Sequence, residues 1–120
     1  MVHDYRSRQA AQPARRRRFK TVGKSGYQQM EKALWYVFVG SRGGANRIRI
    51  VRELKSRPRN ANELASRLEV DYNTITHHLD VLVEHNVVEP GDNDYGQLYF
   101  LTDQFEHHWA TFETISAEAE

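Results

Sequence analysis

Between Asn60 and Asn86 the sequence fits two amphipathic helices and a turn into 27 residues, and no other stretch constrains the fold as tightly. Asn60-Ala61-Asn62-Glu63 has the form of a capping box, a side-chain acceptor at the N-cap with Glu at N3. Leu64, Ala65 and Leu68 then share the inner face of a short helix. After only Glu69-Val70-Asp71, in which Asp71 serves as the next N-cap, Ile75, Leu79 and Leu82 form a second buried stripe at i, i+4, i+7. Asn86, which tolerates left-handed backbone, is placed to stop that helix, so the expected span is 71–86.

Upstream, Met30, Leu34, Val37 and Phe38 keep helical spacing over 27–41, and Trp35, Tyr36 and Val39 add apolar surface on the other sides. A helix apolar nearly all round must be covered on more than one face. Ser41-Arg42-Gly43-Gly44 breaks it, and Ile48, Val51 and Leu54 mark another helix over 45–56, ended by Pro58. Downstream, Val87-Val88-Glu89 and Leu98-Tyr99-Phe100-Leu101 are β-prone runs around the turn-rich segment Pro90–Gln97. Asp103-Gln104-Phe105-Glu106 is a second candidate capping box, and Phe105, Trp109, Phe112 and Ile115 give the last helix one aromatic stripe.

This order predicts a mainly α fold with a β-hairpin wing (α+β), a winged helix-turn-helix whose second paired helix enters a major groove. Leu64-Ala65 with Leu68, the run Asp71-Tyr72-Asn73-Thr74-Ile75-Thr76-His77-His78-Leu79-Asp80-Val81-Leu82 and the exit Asn86-Val87-Val88 resemble ArsR-type winged helix-turn-helix transcriptional regulators over about residues 30–112. Trp35-Tyr36 through Gly43-Gly44, with Tyr95-Gly96 in the wing, look most like the archaeal branch of small winged-helix regulators. The resemblance implies a homodimer built from N- and C-terminal dimerisation helices. The apolar surface at 30–39 and 105–115 points the same way, because it exceeds what a small three-helix core can cover. Leu34, Trp35, Phe38, Phe105, Trp109 and Phe112 are therefore the expected interface residues.

Charge is strongly segregated along the 120 residues behind a net +1. Residues 1–26 hold eight Lys/Arg and one acid, residues 27–67 hold nine against three, and residues 68–120 hold twelve acids and no Lys or Arg. The first 26 residues lack apolar periodicity and read as a disordered basic arm, with 27–120 as the domain. Double-stranded DNA is the polyanion that fits such a chain. Tyr72, Asn73, Thr74, Thr76 and His77, at the groove-facing end of the second helix, suit base edges; Asn can bridge adenine and Thr offers a hydroxyl and a methyl. His78, beside them, suits a partly buried packing position. Arg15, Arg16, Arg17 and Arg18 in the arm and Arg47, Arg57 and Arg59 on helix faces suit phosphates. Asn93, Tyr95 and Gln97 are the wing candidates, although Asp92 and Asp94 put negative charge at the tip.

These features predict a sequence-specific dimeric regulator, a repressor, with two alternatives left open. One is a winged-helix module that docks a protein of the transcription machinery, and the other is nonspecific DNA coating through the arm. With no cysteine, sulfur-ligated metal sites and disulfides are excluded. Asp103 and His107 with His108 or Glu106 match no metal-ligand spacing, so no metal and no cofactor are expected. Gly23-Lys24-Ser25 imitates a phosphate loop, but Arg18 stands where the motif needs Gly. No nucleophile–base pair or paired catalytic carboxylates emerge, so catalysis is not expected. The longest apolar run, Ala33–Val39, is too short for a membrane span, and a cytoplasmic location is the default.

Overall fold

The computed structural model describes residues 23–92 and 97–119. Helix α1 (Gly23–Trp35) runs directly into a π-helical turn, Tyr36–Gly40, so the helix expected over 27–41 starts earlier and ends more widely wound. Residues 23–26, assigned by sequence to the arm, belong to this helix, while 1–22 lie outside the described residues. Gly43 at φ 92° turns the chain into α2 (Gly44–Ser56), and a Cβ at Gly44 would strike the Phe38 carbonyl, so the Gly43-Gly44 pair lets α2 start directly against the π turn.

Helix α3 (Ala61–Leu68) starts on Asn60, whose Oδ1 accepts from Glu63 N at 2.7 Å. Only half of the expected capping box forms, because the Glu63 carboxylate is taken by Arg57 and Arg59. Glu69, at φ 56°, closes the helix in left-handed backbone and leads through Val70 to Asp71. The Asp71 carboxylate accepts from Asn73 N and Thr74 N to cap α4 (Tyr72–Glu84), as the sequence indicates. Asn86 at φ 63° ends it, with Val87 N donating to Leu82 O at 2.9 Å.

The wing strands are β2 (Val88–Pro90) and β3 (Leu98–Leu101), antiparallel with Val88 opposite Leu101. A strand not foreseen, β1 (Arg59–Asn60), pairs with the other edge of β3, giving the order β1-β3-β2. Two residues between a proline and a helix carry no alternation, so only the partner strand makes this segment extended.

The last helix is broken into α5 (Asp103–Glu106) and α6 (Trp109–Ala119). Its cap is Thr102 rather than Asp103: Thr102 Oγ1 accepts from Phe105 N at 3.0 Å and donates to Asn86 O at 2.7 Å, tying this end of the chain to the end of α4. At the break, His108 Nδ1 lies 2.9 Å from Gln104 O and the ring sits 4.4 Å from that of Tyr27.

The core joins the helices and the π turn through Leu34, Val37, Phe38, Ile48, Ile50, Val51, Leu64, Ile75, Leu79, Leu82, Phe105, Phe112 and Ile115. Four residues expected at a dimer interface are part of it: Leu34, Phe38, Phe105 and Phe112 are buried within the chain itself. Phe38 from the π turn inserts between Phe105 and Phe112, which is the cover the sequence argument assumes to be missing. Trp109 is half-buried, edge-on to Phe105 with the Lys55 ammonium 4.7 Å over its ring. Among the described residues, the large apolar side chains left exposed are Tyr27, Trp35, Tyr36 and Val39 along α1 and its π turn, with Tyr72 apart on α4.

Candidate nucleic-acid interface

Helix α4 divides by face as its stripe requires. Ile75, His78, Leu79 and Leu82 are buried, whereas Tyr72, Asn73, Thr74 and His77 are exposed together at its N-terminal end. Thr76 is half-buried and spends its hydroxyl on the Asn73 carbonyl at 2.9 Å, leaving its methyl and its acceptor lone pairs for other contacts. Asp71 takes two of the helix's first amide protons, so the end is capped by a carboxylate and its side chains, more than its backbone, are offered outward.

The arginines are distributed differently from the expectation. Arg47 is 2% exposed and Arg59 3%, so neither lies on a phosphate-facing surface. Arg59 Nη1 bonds Glu63 Oε2 at 2.9 Å and its Nε reaches the Glu53 backbone and carboxylate oxygens, both at 3.2 Å. Arg57 remains exposed but is ion-paired to Glu63. Burial would raise the Glu63 pKa, but hydrogen bonds and charge from Arg57 and Arg59 outweigh it and hold the carboxyl below its ordinary value. Arg67 pairs with Glu53, and Arg49 bonds the Leu68 carbonyl at the end of α3.

Arg47, on α2, sits where the π turn, the loop after it and α4 converge. Its Nε donates to Val37 O at 2.9 Å, Nη2 to Ser41 Oγ at 2.7 Å and Arg42 O at 2.8 Å, and Nη1 to His78 Nδ1 at 3.1 Å. Because a guanidinium only donates, His78 Nδ1 accepts, and the imidazole is neutral with its proton on Nε2. Burial first, then the charges of Arg47 and His77, keep the His78 pKa below the ordinary imidazole value. His78 therefore packs inward, and the partner that holds it there is an arginine that sequence reasoning places in solvent.

Of the wing candidates, Gln97 is exposed and its Nε2 donates to Gly91 O at 3.2 Å. Asn93 and Tyr95 lie outside the described residues, as do Arg15, Arg16, Arg17 and Arg18. On β3, Tyr99 is half-buried, and burial followed by the charge of Asp80 on α4 raises its phenol pKa. Among the described residues no group of three or more His, Asp or Glu side chains is arranged to hold a metal ion, and no helix is long and apolar enough to cross a membrane.

Residues 45–90 match the family model of a helix-turn-helix domain. No curated protein matches the sequence. Among solved structures, an ArsR-like transcriptional regulator from Rhodococcus sp. RHA1 is 26% identical with a TM-score of 0.57, covering 78% of this chain and 85% of that one. A MarR transcriptional regulator from Methanosarcina mazei Go1 is 16% identical, TM-score 0.57, covering 85% of this chain and 73% of that one. AbfR of Staphylococcus epidermidis is 17% identical, TM-score 0.57, covering 97% of this chain and 80% of that one. The chain thus has a helix-turn-helix domain at its centre, carries a small antiparallel wing, and resembles ArsR-type winged helix-turn-helix transcriptional regulators.

Proposed function

We propose that this chain is a dimeric, sequence-specific DNA-binding regulator, a repressor, that reads a major groove with the exposed end of α4. The observation that carries this reading is the division of α4: one face is locked into the core by Ile75, Leu79 and Leu82, and Tyr72, Asn73, Thr74 and His77 stand clear at its N-terminal end. A helix held by its buried face and presenting short polar side chains at that end is the geometry of major-groove readout. Thr76 contributes its methyl and oxygen from the flank. Gln97, with Asn93 and Tyr95, forms the wing contact.

With Arg47 and Arg59 buried and Arg57 ion-paired, most of the electrostatic attraction comes from the Arg15–Arg18 arm. Dimerisation uses the exposed apolar residues Tyr27, Trp35, Tyr36 and Val39 of α1 and its π turn, together with half-buried Trp109. A cytoplasmic location accords with this role.

Selection of bound duplexes from a random library at about 0.15 M salt tests the reading. A palindromic consensus is the expected result. Recovery of DNA without a consensus would replace it with nonspecific coating, and no recovery at all would favour the protein-docking module.

A further inference from the structure

Arg47 is a buried cation with no carboxylate partner among the described residues, and that is the least expected feature of the core. Arg52, Arg57, Arg59 and Arg67 all pair with glutamates. A guanidinium removed from water without a counter-ion persists only where neutral acceptors match its fork. Here those acceptors come from three places. Val37 O lies in the π turn, Ser41 Oγ and Arg42 O lie in the following loop, and His78 Nδ1 lies on α4. The π turn also carries Phe38, wedged against Phe105 and Phe112 near the C-terminal end of the chain. One side chain therefore connects the N-terminal helix and its aromatic packing to the helix that would read DNA.

The loop beside this contact accepts only glycine. Gly43 approaches the His78 ring so closely that a Cβ there would lie 2.6 Å from Cε1, and Gly43 already occupies left-handed backbone at φ 92°. A side chain at Gly43 would therefore push the ring or the Arg47 guanidinium out of place.

We propose that Arg47 is a positioning residue that sets the orientation of α4 through His78, and that protonation of His78 releases this contact and weakens sequence-specific DNA binding in acid. This rests on the reading of α4 as the DNA-reading helix. An imidazolium has no lone pair on Nδ1 to accept from Arg47, and it would place a second positive charge against a buried first one. The groups facing His78 offer no compensation. From α2 it meets Arg47, from the loop the neutral backbone at Gly43, and on its own helix His77, whose ring centroid is 5.7 Å away. Tyr36, in the π turn, acts on Arg47 rather than on His78. The bond from Arg47 goes to His78 while His77 is exposed, so an acid loss that His78→Asn abolishes belongs to His78 and not to its neighbour.

The test uses the full chain and the duplex selected above, with affinities for that duplex and for random DNA measured at pH 7.5 and pH 5.0. His78→Asn keeps an acceptor near the place of Nδ1 but cannot titrate, and Arg47→Lys keeps the charge but loses the fork. The expected result is that the wild type loses about tenfold of its specific affinity in acid. His78→Asn should show a flat profile at near wild-type affinity, and Arg47→Lys should lose discrimination at both pH values. An acid loss in His78→Asn equal to that of wild type, or full discrimination in Arg47→Lys, overturns the inference. If the wild type binds no duplex, the DNA reading fails, and hydrogen exchange then decides the positioning role. Faster exchange in 72–84 of Arg47→Lys, with 101–116 unchanged, upholds it, and wild-type protection overturns it. An Arg47→Lys chain that unfolds would leave His78→Asn, read by the same pH profile, to decide.

Discussion

The rings of Phe38 and Phe112 meet edge to face with centroids 4.9 Å apart, joining the π turn after α1 to α6 inside one chain. Phe112→Ala deletes a fully buried ring and leaves a cavity beside Phe38 and Phe105. The expected loss is about 3–5 kcal/mol of folding stability. Urea unfolding at two widely separated protein concentrations checks it: the loss should be the same at both, whereas an effect confined to dilute protein would return the ring to an intermolecular contact.

Glu69 ends α3 at φ 56°, where a Cβ is strained, yet its backbone N–H still serves the Ala65 and Ser66 carbonyls. Glu69→Gly keeps the bond and removes the strain, so the protein should gain about 0.5–1 kcal/mol. Thermal unfolding would show a raised midpoint, and an unchanged or lowered midpoint would contradict it.

Glu63 receives hydrogen bonds from Arg57 and Arg59, which hold its folded-state pKa below the ordinary 4.5. A carboxyl with a depressed pKa contributes stability that is present above its unfolded value and is lost as pH falls through the folded one. Glu63→Gln should therefore cost about 1–3 kcal/mol at neutral pH, mainly by depriving buried Arg59 of one partner. The difference from wild type should shrink below pH 4.5. A stability-against-pH series on both proteins measures this, and parallel curves would contradict it.

Removing residues 1–20 takes away seven Lys/Arg and leaves α1 intact. Affinity should fall for every duplex alike, and the slope of log affinity against log salt should flatten by about 0.9 for each phosphate that the arm no longer neutralises. Titrations at three salt concentrations give the slope directly. An unchanged slope would make the arm a solubilising tail.

Asn73 is exposed at the first turn of α4, and its backbone N–H, not its side chain, is used by Asp71. Asn73→Ala should cost about 1–3 kcal/mol on the selected duplex and little on random DNA. Competition binding with the two DNAs separates the cases, since equal losses on both would mean a charge-driven contact rather than base readout.

What is legible in the sequence is local. The stripes Leu64/Leu68 and Ile75/Leu79/Leu82, the caps Asn60 and Asp71 and the stop at Asn86 all work within a few residues of themselves, because helical period and capping geometry involve neighbours along the chain. The exposed end of α4 follows from the same period: once Ile75 and Leu79 face inward, Asn73 and His77 face out. The weaker readings are those that depend on distant partners. Strand β1 exists because β3 pairs with it, Arg59 opposite Tyr99, and Thr102 replaces Asp103 as cap because Asn86 holds its hydroxyl.

Sequence by itself determined the helix-turn-helix, its register and the position of a wing, since each is written in periodicity and turn chemistry. Tertiary structure alone decided which charged and aromatic residues face water. Arginine is an exposed residue by default, and only the convergence of Val37 O, Arg42 O and His78 Nδ1 on one guanidinium makes Arg47 a core residue. Likewise Phe38, Phe105 and Phe112 carry no mark of whether they meet each other or a second chain; their distance in space, set by the packing of α1 against α6, makes them one core.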